Sequence, residues 1–139
     1  MAKYKKNMKK KLLVTGGTGF IGAAIVKYLI KKKFKVIVYD NNSRGNLQKL
    51  KGYVNDINFV NGDIRDLKKL LKYSKNVDTI IHLAYINGTK YFYTKPYEIL
   101  DVATKGMLNI IDCCKKNNIK KLILESSSEV YQTQFKIPT

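Results

Sequence analysis

Histidine, cysteine and tryptophan are scarce in this 139-residue sequence, which has one histidine, two cysteines and no tryptophan. The cysteines, Cys113 and Cys114, are neighbours. Adjacent side chains on a helix point in different directions, so we expect no disulfide between them. No spacing of Cys and His suits a metal ion, and we predict no metal site. Unpaired cysteines are typical of a reducing compartment, and we therefore expect a cytoplasmic protein.

Long apolar segments are also lacking, although 45% of the residues are hydrophobic. No stretch is long and apolar enough to span a bilayer, so we predict no membrane association. Residues 1–11, MAKYKKNMKKK, are followed by no apolar signal core, and they lack the Arg and Ser of a mitochondrial presequence. We interpret them as a solvated basic lead-in to the first strand.

Acidic residues are few, with 10 Asp and Glu against 27 Lys and Arg, and the formal net charge is +17. One explanation is a nucleic acid or another anionic partner. The other is coding bias, since all the basic residues except Arg44 and Arg65 are lysines, spread along the chain. We favour the second explanation and expect no nucleic-acid partner, because no zinc-finger, RRM or helix-turn-helix signature is present.

Short apolar runs alternate with amphipathic segments at the spacing of βαβ units. We predict strands over residues 12–14, 34–39, 57–60, 79–83 and 122–124. We predict helices over 20–31, 67–73 and 96–116, and a polar, aromatic loop over 88–95. The apolar stripe of the last helix contains Leu100, Ala103, Met107, Ile110, Ile111 and Cys114. The fold class predicted is α/β, a Rossmann-type parallel sheet of about five strands with helices on both faces.

Four glycines, Gly16, Gly17, Gly19 and Gly22, lie between the first predicted strand and its helix, within TGGTGFIG (15–22). Gly16 or Gly17 allows a sharp turn, and Gly19 lets a pyrophosphate approach the backbone. Gly22 lets the helix pack closely on the sheet, and free N–H groups at the helix start would face the anion. The alternative is a tight turn without a ligand, for which so many glycines are unfavourable because each loses entropy on folding.

Asp40 ends the second predicted strand. A carboxylate there can accept hydrogen bonds from both hydroxyls of an adenosine ribose and would repel a 2′-phosphate. We therefore predict NAD as the cofactor. Arg44 leaves NADP as a minority alternative, and a turn-capping aspartate is the other interpretation of Asp40.

Five segments carry a resemblance to a known family. They are TGGTGFIG (15–22), YDNNSRG (39–45), GDIRD (62–66), HLAY (82–85) and SSSEVY (126–131). In order and spacing, the set resembles the N-terminal portion of the extended short-chain dehydrogenase/reductase family, the NAD-dependent sugar-nucleotide epimerases and dehydratases. The segments are specific as a set, and together they cover nearly the whole chain.

The resemblance implies how the first half of the chain would bind NAD. Backbone N–H groups of Phe20 and Ile21 would contact the pyrophosphate. The side chains of Asp40, Asn41 and Ser43 would hold the adenosine ribose and its phosphate.

Further cofactor contacts implied by the resemblance come from the next two segments. Asp63 and Ile64 would flank the adenine, with the Asp63 carboxylate accepting from the exocyclic amine. Leu83 and Ala84 would line the nicotinamide-side ribose. We interpret His82 as a packed strand residue rather than as a catalyst.

The same resemblance implies a catalytic role for the SSSEVY segment. Ser127 would hydrogen-bond the sugar oxygen at which hydride is removed, and Ser128 and Glu129 would face the substrate or act as acid or base. In the family, a tyrosine whose pKa is lowered by a lysine four residues on takes the proton, and the reaction passes through a transient keto sugar.

The sequence departs from the family pattern at several positions. The two Tyr-x-x-x-Lys pairs, Tyr28 with Lys32 and Tyr91 with Lys95, both precede Ser127. We therefore expect neither pair to supply the base. Ala103 stands where the family usually has an asparagine.

We interpret residues 12–139 as an incomplete NAD-binding Rossmann domain of an enzyme that acts on a nucleotide sugar, and we expect this chain alone to be inactive. We expect a fragment of a longer enzyme rather than a complete short protein, because the sequence ends abruptly after residues 137–139. The alternative is a non-catalytic NAD-binding or scaffold module that lacks the Tyr-x-x-x-Lys base. The resemblance also implies a homodimer formed through the helix over 96–116.

Overall fold

The secondary structure follows the predicted βαβ alternation. A computed structural model describes residues 10–127 and Val130. Its elements are β1 (Lys11–Thr15), α1 (Phe20–Lys31), β2 (Lys35–Asp40), β3 (Ile57–Asn61), α2 (Leu67–Tyr73), β4 (Thr79–His82), α3 (Thr89–Thr94), α4 (Pro96–Lys116) and β5 (Lys121–Leu124). Two short 3-10 helices, Leu47–Leu50 and Val54–Asp56, lie between β2 and β3.

The five strands form one parallel sheet in the order β3-β2-β1-β4-β5. The predicted fold class is therefore confirmed. The strand order reverses between β1 and β4, and ligands of open α/β sheets bind at the carboxyl ends of the strands beside such a reversal. Thr15 and His82, the last residues of β1 and β4, are opposite each other in the register.

The three central strands, β2, β1 and β4, are buried on both faces, which explains why they are nearly continuous apolar runs. Leu12 and Val14 of β1 pack in one core cluster, which α1 covers with Ala23 and Val26. Leu13 packs in the other cluster, which is covered by α2 and α4. The two layers hold the carboxyl ends of β1, β2 and β4 at one edge of the sheet.

The helix boundaries agree with the sequence signals for them. The Asp66 side chain accepts a 3.0 Å hydrogen bond from the Lys69 N–H and so caps α2. Pro96 is the first residue of α4, where its missing N–H is tolerated. Asn118, just after α4, has a φ of 54°, a conformation that asparagine adopts more readily than most residues.

Residues 88–95 were predicted to be a loop, and that prediction is wrong, because Thr89–Thr94 form α3. None of the α3 residues is buried, so the segment has no apolar face with helical spacing to indicate it. A hydrogen bond of 2.9 Å from the Thr94 hydroxyl to the Lys90 carbonyl closes its last turn.

The face of α4 that packs on the core differs from the predicted stripe. Leu100 is exposed, and the buried residues are Ile99, Val102, Gly106, Asn109, Ile110 and Cys113, of which only Ile110 belongs to the predicted stripe. Helix α4 also has apolar residues on either side of this buried face, so helical periodicity alone could not identify which face packs on the core. Neither α4 nor any other described helix has the length and hydrophobicity to cross a membrane.

Candidate functional site

The loop between β1 and α1 requires glycine at its first position. Gly16 has a φ of 69°, a conformation that residues with a Cβ rarely adopt. A Cβ on Gly16 would also lie 2.8 Å from the Ala84 nitrogen and 2.9 Å from the Leu83 carbonyl carbon. The turn is thus pressed against the segment that leaves β4.

Helix α1 begins directly on this loop. A Cβ on Gly22 would overlap the Gly16 carbonyl oxygen and lie 2.8 Å from the Gly17 Cα. Gly22 therefore allows close packing against the loop, whereas the sequence suggested packing against the sheet. Gly17 is buried, and a Cβ there would meet the Val38 side chain at 2.8 Å, so this glycine turns toward the core.

The amino end of α1 presents unused backbone donors. Gly19 is the N-cap residue, and no side chain caps the helix. The first N–H to bond back into the helix is that of Ala23, which donates to the Gly19 carbonyl at 3.1 Å. The N–H groups of Phe20, Ile21 and Gly22 precede it, and the Phe20 side chain is 88% exposed. Such a helix end attracts anions.

Asp40 faces the glycine loop from the end of β2. Its carboxylate is only 8% exposed and accepts hydrogen bonds from the Thr18 N–H at 3.0 Å and the Asn42 N–H at 2.8 Å. These two donors fix the side chain and satisfy one lone pair on each oxygen, leaving acceptor capacity on both.

The loop after β2 is exposed and organised by its own side chains. The Asn41 amide oxygen accepts from the Ser43 N–H at 3.0 Å, and the Asn41 amide nitrogen donates to Asp63 at 3.3 Å. The Arg44 guanidinium lies 4.9 Å from the centre of the Tyr91 ring, a cation–π distance. This contact joins the loop after β2 to α3.

Arg65 occupies the centre of the segment after β3. Its side chain donates to both carboxylate oxygens of Asp63, at 3.0 and 2.7 Å, and to Asp101 of α4 at 2.9 Å. Hydrogen bonding to Arg65 lowers the pKa of the Asp63 carboxyl below its ordinary value. Asp63 is therefore ionised at neutral pH, and its charge is balanced by Arg65.

Ile64, beside Asp63, is held by α4. Its carbonyl accepts a 2.9 Å hydrogen bond from the buried Asn109 amide, and its side chain lies where a Cβ on Gly106 would be. On the other side, the Tyr39 hydroxyl donates to the Asp63 carbonyl at 3.0 Å. The backbone of this segment is thus fixed from both β2 and α4.

Two cavities share the glycine loop and the end of β4. The smaller, of about 130 Å³, lies between the ends of β2 and β3 and is lined by Asp40, Asn41, Ser43, Asp63 and Ile64. The larger, of about 910 Å³, extends toward β5 and is lined by Phe20, Ile21, Gly22, His82 and Ser127. Residues that line both are Gly16, Gly19, Arg44, Leu83, Ala84 and Tyr85.

The model of the NAD dependent epimerase/dehydratase family matches residues 12–139. The chain belongs to that family. The match extends over all five segments on which the resemblance was based, and the resemblance is thus confirmed.

Three relatives of known name or structure are each longer than this chain. A UDP-glucose 4-epimerase of Neisseria meningitidis serogroup C is 36% identical over an alignment of 135 residues, and the match covers 93% of this chain and 40% of that protein. The UDP-N-acetylglucosamine 4-epimerase from Methanobrevibacter ruminantium M1, solved in complex with UDP-N-acetylmuramic acid, is 34% identical, with a TM-score of 0.87 over 94% of this chain and 42% of that one. UDP-glucose 4-epimerase from Brucella ovis in complex with NAD is 27% identical, with a TM-score of 0.84 over 93% and 39%. The chain spans about two fifths of the length of these enzymes.

Within the epimerase/dehydratase fold, the structure brings together the predicted cofactor residues with one exception. Among the described residues, Gly17 alone of that set does not line either cavity. Ser127 lies on the wall of the larger cavity. Ser128 and Glu129 fall outside the described residues, and their roles stay predictions.

Sequence reasoning missed the residues that hydrogen-bond to Asp63 and Ile64 or pack against them. Arg65 was given no role in the site, and Asp101, Gly106 and Asn109 of α4 were not singled out. A glycine and an asparagine three residues apart on an otherwise apolar helix face were an available signal. The contact partners across 36 and 45 residues of sequence could not be inferred from spacing.

Proposed function

We propose that this chain is the NAD-binding part of a sugar-nucleotide epimerase or dehydratase that acts through a transient 4-keto sugar. One observation carries the proposal: the glycine loop, the amino end of α1 and Asp40 all line the two cavities described above. Because these cavities share lining residues, they form together one cleft. The family assignment and the names of the relatives support it.

The residues present fit NAD at three points. The N–H groups of Phe20, Ile21 and Gly22 would hold the pyrophosphate, and Gly16 and Gly19 leave its path open. Asp40 would accept from the adenosine ribose hydroxyls. When bound, NAD supplies a hydride acceptor at its nicotinamide ring.

The choice of NAD over NADP follows from charge. A 2′-phosphate would be placed beside Asp40, which is nearly buried and held by two backbone donors. Arg44 could neutralise such a phosphate, but its guanidinium lies against the Tyr91 ring of α3. Asn41 and Ser43 would complete the ribose contacts.

The adenine and nicotinamide ends would use backbone as well as side chains. Asp63 and Ile64 would flank the adenine. The Asp63 carboxylate already accepts three hydrogen bonds from Arg65 and one from Asn41, so the exocyclic amine would have to replace one of them, and the 3.3 Å bond from Asn41 is the longest. Leu83 and Ala84 would line the nicotinamide-side ribose. The Ser127 hydroxyl would orient the sugar oxygen in the larger cavity. Ser128 and Glu129 would face the substrate or act as acid or base.

Calorimetric titration with NAD tests the proposal. Wild-type chain should bind NAD, and Gly19→Val should abolish binding by placing a branched side chain where the pyrophosphate would lie. Ala24→Val is the matched control, because it adds the same side chain one turn further along α1 at an exposed position outside the cleft. Equal NAD affinity in the wild type and Gly19→Val would disprove the assignment of the loop.

The Asp40 assignment has its own test. Asp40→Ala should weaken NAD binding more than NADP binding, because it removes both the ribose acceptor and the repulsion of a 2′-phosphate. An unchanged ratio of the two affinities would remove Asp40 from the ribose site.

The alternative function is a non-catalytic NAD-binding or scaffold module. It rests on the positions of Tyr28 with Lys32 and Tyr91 with Lys95, two Tyr-x-x-x-Lys pairs that both precede Ser127. Purified chain incubated with NAD and UDP-glucose should then show NAD binding but no turnover. Sustained epimerisation by this chain would refute the alternative and would require another base.

We also propose that α4 pairs with its counterpart in a second copy of the chain. Tyr97, Leu100 and Leu108 form an exposed apolar line on α4, away from the buried face. Sedimentation equilibrium should give a dimer, and Leu108→Lys should shift it to monomer without altering NAD affinity. A monomeric wild type would overturn this part of the proposal.

The neighbouring free thiols of Cys113 and Cys114 support a reducing, cytoplasmic location.

A further inference from the structure

Thr15 and His82 form a buried hydrogen bond at the point where the sheet meets the cleft. They are the last residues of neighbouring strands, and their side chains are 0% and 7% exposed. Thr15 Oγ1 lies 2.7 Å from His82 Nδ1. Neither residue has a role in the cofactor contacts proposed above.

The direction of this hydrogen bond can be derived by counting protons. Thr15 Oγ1 also accepts from the N–H groups of Leu83 at 3.2 Å and Ala84 at 3.3 Å, and the Leu83 N–H is shared with the Thr15 main-chain carbonyl, also at 3.2 Å. A hydroxyl has two lone pairs and one proton, so with both lone pairs engaged its proton must be donated to His82 Nδ1. His82 is therefore a neutral imidazole that carries its proton on Nε2.

The segment held by Thr15 forms part of the cleft. Leu83 and Ala84 line both cavities, and they lie against Gly16 so closely that a Cβ on Gly16 would be 2.8 Å from the Ala84 nitrogen. If Nδ1 carried a proton, it would no longer accept from the Thr15 hydroxyl. Thr15 would then have to give up a backbone donor to accept from the imidazole instead, and the segment beside the glycine loop would shift.

We propose that Thr15 and His82 are a positioning pair, which holds Leu83 and Ala84 against the glycine loop only while His82 is neutral, and that NAD binds to this neutral form. The proposal rests on the proposed function only in naming NAD as the ligand. The hydrogen-bond direction follows from the geometry alone.

The surroundings of His82 contain few charges that could titrate with it. From the end of β5, the Glu125 N–H donates to the His82 carbonyl at 3.3 Å, and its side chain is exposed on the wall of the same cavity. Helix α4 contributes Ala103 and Met107 to that wall, and Thr15 of β1 contacts the imidazole without lining the cavity. None of these three residues titrates. Tyr85 follows Ala84 on the same wall, and Arg44 and Lys49 line the cavity from the loop after β2. Burial lowers the pKa of His82 to about 4.

The first test uses NMR of the imidazole, which is unambiguous because the sequence has one histidine. Long-range nitrogen–proton correlation spectra of the full chain at pH 7 should show the proton on Nε2. A proton on Nδ1, or a titration midpoint near 6.5, would overturn the inference. In Thr15→Val the preference for Nε2 should weaken, because the donor to Nδ1 is gone.

The second test measures NAD affinity of four variants at pH 7 by calorimetry. Thr15→Val should weaken binding about tenfold, and Thr15→Ser, which keeps the hydroxyl, should stay within a factor of about two. His82→Asn keeps an acceptor at the position of Nδ1 and should also bind, whereas His82→Leu should not. Equal affinities for Thr15→Val and Thr15→Ser, or for His82→Asn and His82→Leu, would disprove the positioning role.

The third test uses linkage between the ligand and the proton. If NAD binds the neutral form, saturating NAD must lower the His82 titration midpoint, and Gly19→Val should show no such shift. NAD binding without any shift would overturn this inference while leaving the proposed function intact. Failure of the wild type to bind NAD would overturn the proposed function and the link to NAD, while the tautomer measured at pH 7 would still decide the hydrogen-bond direction.

Discussion

The buried side-chain amide of Asn109 on α4 donates a 2.9 Å hydrogen bond to the main-chain carbonyl of Ile64. The bond joins the longest helix to the segment after β3, which would lie beside the adenine. The Tyr39 hydroxyl holds the preceding carbonyl, that of Asp63, from the opposite side. One end of the cleft is therefore shaped in part by Asn109, which lines neither cavity.

Asn109→Ala should destabilise the chain by about 1–3 kcal/mol, because it leaves the Ile64 carbonyl buried without its donor. It should also weaken NAD binding by loosening the segment after β3. Urea unfolding and calorimetric titration measure the two effects. Asn117→Ala is the control, since it removes hydrogen bonds to Leu71 and Ser74 at the far end of α4. If both variants weakened NAD binding equally, the effect of Asn109→Ala on binding would come only from a general loss of stability.

Arg65→Gln should lower the free energy of unfolding at pH 7, and the difference from the wild type should shrink in acid. Hydrogen bonds from Arg65 lower the pKa values of Asp63 and Asp101 below the ordinary 3.8. A carboxyl whose pKa is lowered by folding stabilises the native state above its unfolded pKa, and this contribution is lost as the pH falls through the native pKa. Arg65→Lys should be intermediate, because lysine keeps the charge but not the planar fork. Urea unfolding at pH 7 and pH 3 checks this, and a difference that stays constant between them would argue against the ion pairs.

Gly22→Ala should destabilise the chain by about 1–3 kcal/mol, the usual effect of adding a methyl group where there is no room. The added Cβ would overlap the Gly16 carbonyl oxygen, which belongs to the loop backbone and has little freedom to move. Gly19→Ala should be milder, since its only close contact is the same oxygen at 3.1 Å. Thermal unfolding of the two variants, measured side by side, compares them. Equal stabilities would contradict the packing described for the start of α1.

Acid should destabilise the ligand-free chain through His82. Burial lowers the pKa of His82 from 6.5 to about 4, so the unfolded chain binds a proton in this range that the native chain does not. Its contribution is therefore complete above pH 6.5 and is lost as the pH falls toward 4, by about 3 kcal/mol in all. His82→Asn, which cannot titrate, should show a flatter dependence of unfolding free energy on pH over this interval. Parallel curves for the two proteins would show that His82 is not responsible.

Local sequence signals predicted much of the fold and the front of the site. Helices α1 and α2 begin and end at the predicted residues because the glycine loop and the Asp66 cap mark their starts. The position of Asp40 followed from the length of β2. Helix α3 was missed because it buries nothing, and the buried face of α4 was misjudged because apolar residues lie on either side of it.

By itself the sequence determined which segments are strands and helices, where the glycine loop lies and which carboxylate follows β2, because each depends on residues close together in the chain. Only the tertiary structure decided that Arg65 joins Asp63 to Asp101, that Asn109 supports Ile64, and that Thr15 directs its proton to His82. Apart from the Arg65–Asp63 pair, these contacts join residues 36 to 67 positions apart. The partner of a buried polar group at such distances is set by how strands and helices pack, which no local pattern encodes.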